Sequence, residues 1–191
     1  TGVSIGAGLA GYRSVISHLR VDFFLLAMDQ LVNGAAKWHY MFGGKTSVPI
    51  TIRLIVGRGW GQGPTHSQSL QSWFAHIPGL KVVMPSTAYN AKGLLKSAID
   101  DDNPVIFLEN EILYGHKAEV PNDTNFEIPL GVANIALEGS DATIVTYSIM
   151  VSKSLEAVKL LKDKHGINVE VIDLQTIRPL DKVTILESVK K

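Results

Sequence analysis

The chain has 191 residues, 46% of them hydrophobic, with 18 basic and 18 acidic side chains and a formal net charge of zero. That balance argues against a basic patch for a nucleic-acid partner, and no apolar run approaches the roughly 20 residues a bilayer span needs. Cysteine is absent, which excludes a disulfide framework, a thiolate nucleophile or a zinc–thiolate centre in this sequence.

The chain opens on Thr1, then Val3, Ser4 and Ile5, and runs into Gly6-Ala7-Gly8-Leu9-Ala10-Gly11. This matches the literal dinucleotide fingerprint, with Asp29 at a spacing that suits a ribose contact. The fingerprint also needs a crossover helix before the next strand, and only about three residues separate Gly11 from the next strand-like run. The small residues are therefore assigned to close packing of one helix on a neighbour.

Strand-length apolar runs follow at Ser14–Val21, Ile50–Val56, Lys81–Met84 and Val105–Leu108. Between them Leu25, Met28, Val32 and Ala35 recur at helical spacing, as do Ala91, Leu94, Leu95, Ala98 and Ile99. The run Val105–Leu108 is continuously apolar, as in strands covered on both faces. A polar, proline-bearing segment then begins at Val120, so residues 121–130 read as a linker between units at 1–120 and 131–191. The second unit repeats the alternation: a strand at Ala142–Tyr147 and a helix through Val151, Leu155, Val158 and Leu161 stopped at Gly166. A strand at Val169–Ile172 and a helix over Asp181–Lys190 follow. Strands alternating with helices define an α/β fold with parallel sheet and right-handed crossovers. Thr1 is not an initiator and the last helix has no stop signal, so both ends are expected to be truncated, which leaves targeting signals unread.

The most unusual stretch is Gly57–Gln68, with glycines at 57, 59, 61 and 63, Trp60 and Pro64 among them, and His66 near its end. It follows a strand, where open α/β folds bind ligands. A histidine there can move protons near neutral pH, or it can be solvated on a surface turn; local pattern leaves both open. His18 falls within a strand, His76 at a helix end or in the core, and His116 and His165 on the surface. Trp38-His39-Tyr40 could wall a cofactor pocket, with core packing as the default. Asp100-Asp101-Asp102 reads as a solvated turn rather than a cation site. Zinc-protease, nucleophile-elbow and P-loop spacings are absent from the sequence.

In this order several blocks resemble the beta subunits of thiamine-diphosphate-dependent 2-oxoacid dehydrogenases, the pyruvate and branched-chain enzymes. They are Met28–Asn33 with Ala35-Ala36-Lys37, His66-Ser67-Gln68, Pro78–Pro85, Ala91–Leu95, Asn103–Asn110 and Thr176–Asp181. Glu109–Gly115 and Ile128–Gly131 tilt the likeness toward the pyruvate branch, while Trp60 and Pro64 depart from it. The resemblance implies a pyrimidine-binding α/β domain with a parallel sheet flanked by helices, followed by part of a transketolase C-terminal-like domain. It implies oxidative decarboxylation of a 2-oxoacid with acyl transfer to a lipoyl group. Carried over residue by residue, His66 matches the active-site histidine, Phe23 and Tyr40 match positions lining the aminopyrimidine pocket, and Gln30, on the same helix, is assigned with them to cofactor binding. Ile50, Ala98, Ile99, Asp101 and Asn103 match a potassium site built largely from carbonyls, a donor set suited to a hard cation.

Thiamine diphosphate is the implied cofactor. Its magnesium is assigned to an alpha subunit, because the sequence contains no Gly-Asp-Gly motif. Partners follow as that alpha subunit in an alpha-two beta-two assembly and a lipoyl acyltransferase, with no nucleic acid and no membrane. The compartment is the cytoplasm for a bacterial protein or the mitochondrial matrix for a eukaryotic one. The family's ring-activating glutamate is expected upstream of Thr1, leaving the chain by itself inactive, and Glu109 and Glu111, which follow another strand, are expected away from the site. A branched-chain or acetoin enzyme is the alternative of the same chemistry; a non-catalytic nucleotide-binding or electron-transfer module is that of another class.

Overall fold

The computed structural model describes residues 1–57 and 61–191. Helix α1 (Gly2–Leu9) packs against the segment before the second strand. Gly8 permits the approach, since a β-carbon there would lie 3.3 Å from Pro49 Cδ, while Gly6 faces open space. Strands β1 (Ser14–His18), β2 (Ile50–Val56), β3 (Lys81–Val83) and β4 (Val105–Asn110) form a parallel sheet in the order β1-β2-β4-β3.

The continuously apolar strands are explained by what covers them. Along β4, Ile106 and Leu108 point into a large core with Ile52, Leu54, Phe24, Leu31 and Phe74. Val105 and Phe107 point the other way, onto Leu94 and Ala98 of α5 (Ala88–Asp100). Both faces being buried, neither needs polar alternation. Thr87 caps α5, its hydroxyl accepting from Asn90 N at 3.1 Å, which satisfies one of the helix's free N–H groups.

The first strand is shorter than its apolar run. It stops at His18, and extended Arg20 leads into α2 (Val21–Phe24), with Asp22 in the helix's first turn where the dipole favours it. The chain stays helical through a 3₁₀ turn (Leu25–Ala27) and a π-helical turn (Gln30–Ala35) into α3 (Ala36–Met41). Leu31 and Ala35 are buried, as their spacing requires. The core default holds for Trp38, half-buried against the main core, and is corrected for His39 and Tyr40. Tyr40 is 88% exposed, and His39, also exposed, sits beside Thr46 and Ser47. The last turn of α3 continues with Met41 and Phe42, both at least half exposed, so its side chains have nothing to pack under. Trp38 packs partly buried against the main core, with the Phe42 ring at 4.8 Å.

Helix α4 (Gln71–His76) ends on exposed His76 and is joined to β3 through Pro78-Gly79. The second unit has β5 (Asn134–Leu137), β6 (Ala142–Thr146), α6 (Ile149–His165) and β7 (Val169–Asp173), in sheet order β5-β7-β6. The β6–α6–β7 crossover buries Val158 against Val169 and Val171, and α6 stops at left-handed Gly166 (φ 70°). β8 (Thr176–Arg178) then leaves this unit and pairs antiparallel with β3, adding a fifth strand to the first sheet. A buried polar chain also joins the units: Ser86 donates to Asp173 (2.5 Å) and Asn90 to Gln175 (2.8 Å). Helix α7 (Lys182–Ser188) follows Asp181, which caps it through Thr184 N. Among the described residues no helix is long and apolar enough to cross a membrane.

Candidate active site

Strands β1, β2 and β4 run in parallel, so the segments leaving their carboxyl ends emerge on one side of the sheet: Leu19-Arg20, Gly57 and Glu111. A cavity of 650 Å³ opens there, walled by Leu19, Phe23, Ile55 and Tyr114, with Arg20, His66 and Glu111 among its polar groups. This is where an open parallel sheet offers ligand space. Gly57 (φ 82°) presses against the end of β4, and a β-carbon there would lie 2.7 Å from Asn110 Nδ2.

Within the wall, Arg20 is 6% exposed and pairs with Glu111, whose side chain is also buried. Its Nη2 donates to the carbonyl of Gly57 at 2.5 Å and to that of His66. The His66 ring lies edge-to-face with Phe23 at 5.1 Å, and its Nδ1 is 3.1 Å from the Thr65 hydroxyl. Gln68 donates to Asp22 at 2.8 Å, tying the far side of the loop to α2. Behind Tyr114, its hydroxyl donates to Glu109 at 2.5 Å, and Glu109 takes two further bonds from Arg53 at 2.7 and 3.0 Å. Burial, then the bond to Glu109, pushes the Tyr114 phenol well above the usual tyrosine range.

Of the expected site residues, His66 and Phe23 meet in this cavity. Gln30 and Tyr40 are exposed along the helical segment that follows Phe23 and do not line it. Part of the glycine-rich stretch, Arg58, Gly59 and Trp60, lies outside the described residues. The placement of Glu111 is a correction: it stands in the cavity wall because β4 is the hydrogen-bonded neighbour of β2. Arg20 was hidden within an apolar run read as strand; a lone arginine in such a run is the signal that could have marked it.

The five residues matched to a potassium site gather at the opposite end of the sheet, where β2 starts and α5 ends. The Ala98 carbonyl accepts from Thr51 Oγ1 at 2.9 Å, and Arg13 donates to the carbonyls of Ile99 (3.1 Å) and Asp101 (2.8 Å). The Asp101 carboxylate accepts from Asn103 N at 2.9 Å and pairs with Lys81. The Ile99 and Asp101 carbonyls that the family match assigns to a cation are thus held by the Arg13 guanidinium. Among the described residues no group of three or more histidine, aspartate or glutamate side chains could hold a metal.

A sheet with its ligand cavity beyond the carboxyl ends, followed by a second α/β unit, defines the class, and the comparisons agree. The family model described as "Transketolase, pyrimidine binding domain" matches residues 1–117, and "Transketolase, C-terminal domain" matches residues 131–191. The chain belongs to this transketolase-like family. It is 50% identical over 190 residues to the pyruvate dehydrogenase E1 component subunit beta of Rhizobium meliloti, covering 100% of this chain and 41% of that protein. Identity is also 50% to the beta subunit of acetoin:2,6-dichlorophenolindophenol oxidoreductase of Cupriavidus necator, over 99% of this chain and 55% of that protein. A mitochondrial pyruvate dehydrogenase E1 subunit beta-2 from Oryza sativa is 48% identical over 100% of this chain and 51% of that protein. The chain thus spans about half the length of the curated relatives it matches. Among solved structures, a split-gene transketolase described as an inactive beta4 tetramer superposes with a TM-score of 0.78 at 24% identity, over 99% of this chain and 57% of that one. That likeness bears on the fold.

Proposed function

We propose that this chain is the cofactor-facing part of the beta subunit of a thiamine-diphosphate-dependent pyruvate dehydrogenase. The observation that carries the proposal is His66, held against Phe23 in the cavity beyond β1, β2 and β4, in a chain half identical to proteins so named. The cavity fits the ring portion of the cofactor: Leu19, Phe23 and Ile55 offer apolar and aromatic surface, and its 650 Å³ is of ligand-pocket size. Bound thiamine diphosphate supplies a thiazolium carbon that adds to a keto group and stabilises the charge left when carbon dioxide departs. Phe23 orients the ring side of the pocket, and Leu19 and Ile55 add apolar surface to its wall. His66 holds and delivers a proton during acyl transfer to lipoyl, a task suited to an imidazole near neutral pH.

The magnesium that grips the diphosphate is assigned to an alpha subunit in an alpha-two beta-two assembly. In support, Leu19 and Phe23, which share the cavity wall, are 77% and 49% exposed, and Leu26 in the turn that follows is 96% exposed, apolar surface of the kind that marks a partner. Gln30 and Tyr40, exposed along the same helical segment, would face the cofactor only across that interface. A potassium ion at Ile50, Ala98, Ile99, Asp101 and Asn103 would brace the far end of α5. A lipoyl acyltransferase would accept the acyl group. The proposal places the protein in the cytoplasm of a bacterium or the matrix of a mitochondrion, the relatives including both bacterial and mitochondrial proteins.

The equal identity to an acetoin enzyme subunit favours a second reading, acetoin cleavage by the same cofactor chemistry. The full-length chain, assembled with its alpha partner, is to be assayed on pyruvate, 3-methyl-2-oxobutanoate and acetoin with an artificial electron acceptor. Pyruvate is expected to be preferred; preference for acetoin would overturn the substrate assignment. His66→Ala should slow acyl transfer to lipoyl by about 100- to 10,000-fold with cofactor affinity unchanged, whereas near-normal flux would remove His66 from the chemistry.

A further inference from the structure

His66 lies at one end of a glycine-rich stretch that leaves β2 at Gly57. Its described glycines, Gly57, Gly61 and Gly63, all take positive φ, a backbone that glycine reaches without steric cost. The two ends of the stretch are joined by one backbone bond, Gly57 N to the Gln68 carbonyl at 3.1 Å, and through one side chain that reaches both Gly57 and His66. Arg20 Nη2 donates to the carbonyl of Gly57 and to that of His66, and Nη1 pairs with Glu111. The Arg20 side chain is 7% exposed and that of Glu111 8%, so the bonds form away from competing water. Each partner comes from a different sheet-end segment: Arg20 after β1, Gly57 after β2, Glu111 after β4. The arginine therefore registers the His66 loop against the rigid end of the sheet.

We infer that Arg20, neutralised by Glu111, is the positioning residue of the His66 loop. It fixes the loop's two ends by their carbonyl oxygens and so holds the imidazole against Phe23. This rests on the reading of His66 as the acid–base group. The chemistry asks for arginine. One planar group must present separate N–H bonds to a carboxylate and to two carbonyls, and a lysine ammonium is a compact point charge on a mobile stem. Glu111 is needed because a buried cation facing only carbonyl dipoles would be poorly compensated.

The test uses the full-length chain in its assembly. Arg20→Met alone would strand Glu111 as a buried, unpaired charge, so the informative variant is Arg20→Met with Glu111→Leu, an apolar replacement of both partners that buried ion pairs tolerate. Two readouts are taken: amide hydrogen exchange of peptides spanning residues 61–68, and the separate kcat and KM of acyl transfer. The double variant should exchange faster in that segment alone, with α5 peptides unchanged. Its kcat should fall about 100-fold, the effect expected of a displacement of about 1 Å at a reacting group, with KM for the 2-oxoacid little altered. Arg20→Lys should recover part of both. Wild-type exchange and wild-type kcat in the double variant would overturn the inference. If instead His66→Ala keeps full flux, the acid–base reading fails, while faster exchange in the double variant still upholds the clamp.

Discussion

Substituting Gly79 tests the packing that seats α3, the helix bearing Tyr40. Gly79 has φ 97°, and a β-carbon added there would come within 1.9 Å of the Ala36 carbonyl oxygen. That oxygen belongs to a helix backbone and cannot swing aside, so the turn and α3 would have to part by more than about 1 Å to reach ordinary contact distance. Two penalties follow: about 1–3 kcal/mol for the backbone conformation and about 1–3 kcal/mol for overpacking a site bordered by Ala36, Ile77 and Leu80. Against them stands a gain of about 0.4–1 kcal/mol from a less flexible unfolded chain. Gly79→Ala should therefore destabilise by about 3 kcal/mol. The same change at Gly6, which lies within α1 and faces open space, should stabilise by about 0.8 kcal/mol from helix propensity alone. Urea denaturation of the full-length chain measures both. A Gly79→Ala protein within about 0.5 kcal/mol of wild type, the usual spread for harmless surface changes, would refute the reasoning.

Asp173 is buried at the junction of the two units, and burial raises its carboxyl above the usual range against the bonds from Ser86 and Gln175 N. Its contribution to stability is then complete below the ordinary aspartate pKa and lost as pH rises through the raised folded value. Asp173→Asn should accordingly gain on wild type as pH increases, by on the order of 1 kcal/mol at neutral pH; melting curves showing the same difference in acid and at neutrality would contradict this. Tyr114→Phe removes one charged hydrogen bond to Glu109 but leaves both bonds from Arg53, so a loss of about 1–2 kcal/mol with kcat unchanged is expected. A large fall in kcat would instead place the hydroxyl among the reacting groups. Arg13→Met frees the carbonyls of Ile99 and Asp101 and should make thermal stability more dependent on potassium than in wild type, read by melting in potassium against choline salts.

What the sequence determined by itself is whatever depends on near neighbours. β4 is legible because the unbroken apolar run Val105–Leu108 suits a strand buried on both sides, β2 because its apolar run is interrupted only at Thr51 and Arg53, and α5 and α6 because their buried positions recur at helical spacing and Gly166 stops the second. His66 was legible as a loop residue after a strand. Other features depend on partners far along the chain. β8 is only Thr176–Arg178, and becomes a strand because β3 presents an open edge to it. Tyr40 stands exposed because, among the described residues, no element covers its side of the last turn of α3. Arg20 and Glu111 lie 91 residues apart, and neither advertises the other. They meet because β1, β2 and β4 align in parallel and bring their carboxyl ends to one place. Short-range pattern fixes which segments are strands and helices. The order of strands in the sheet, set by long-range burial, decides which side chains share a cavity.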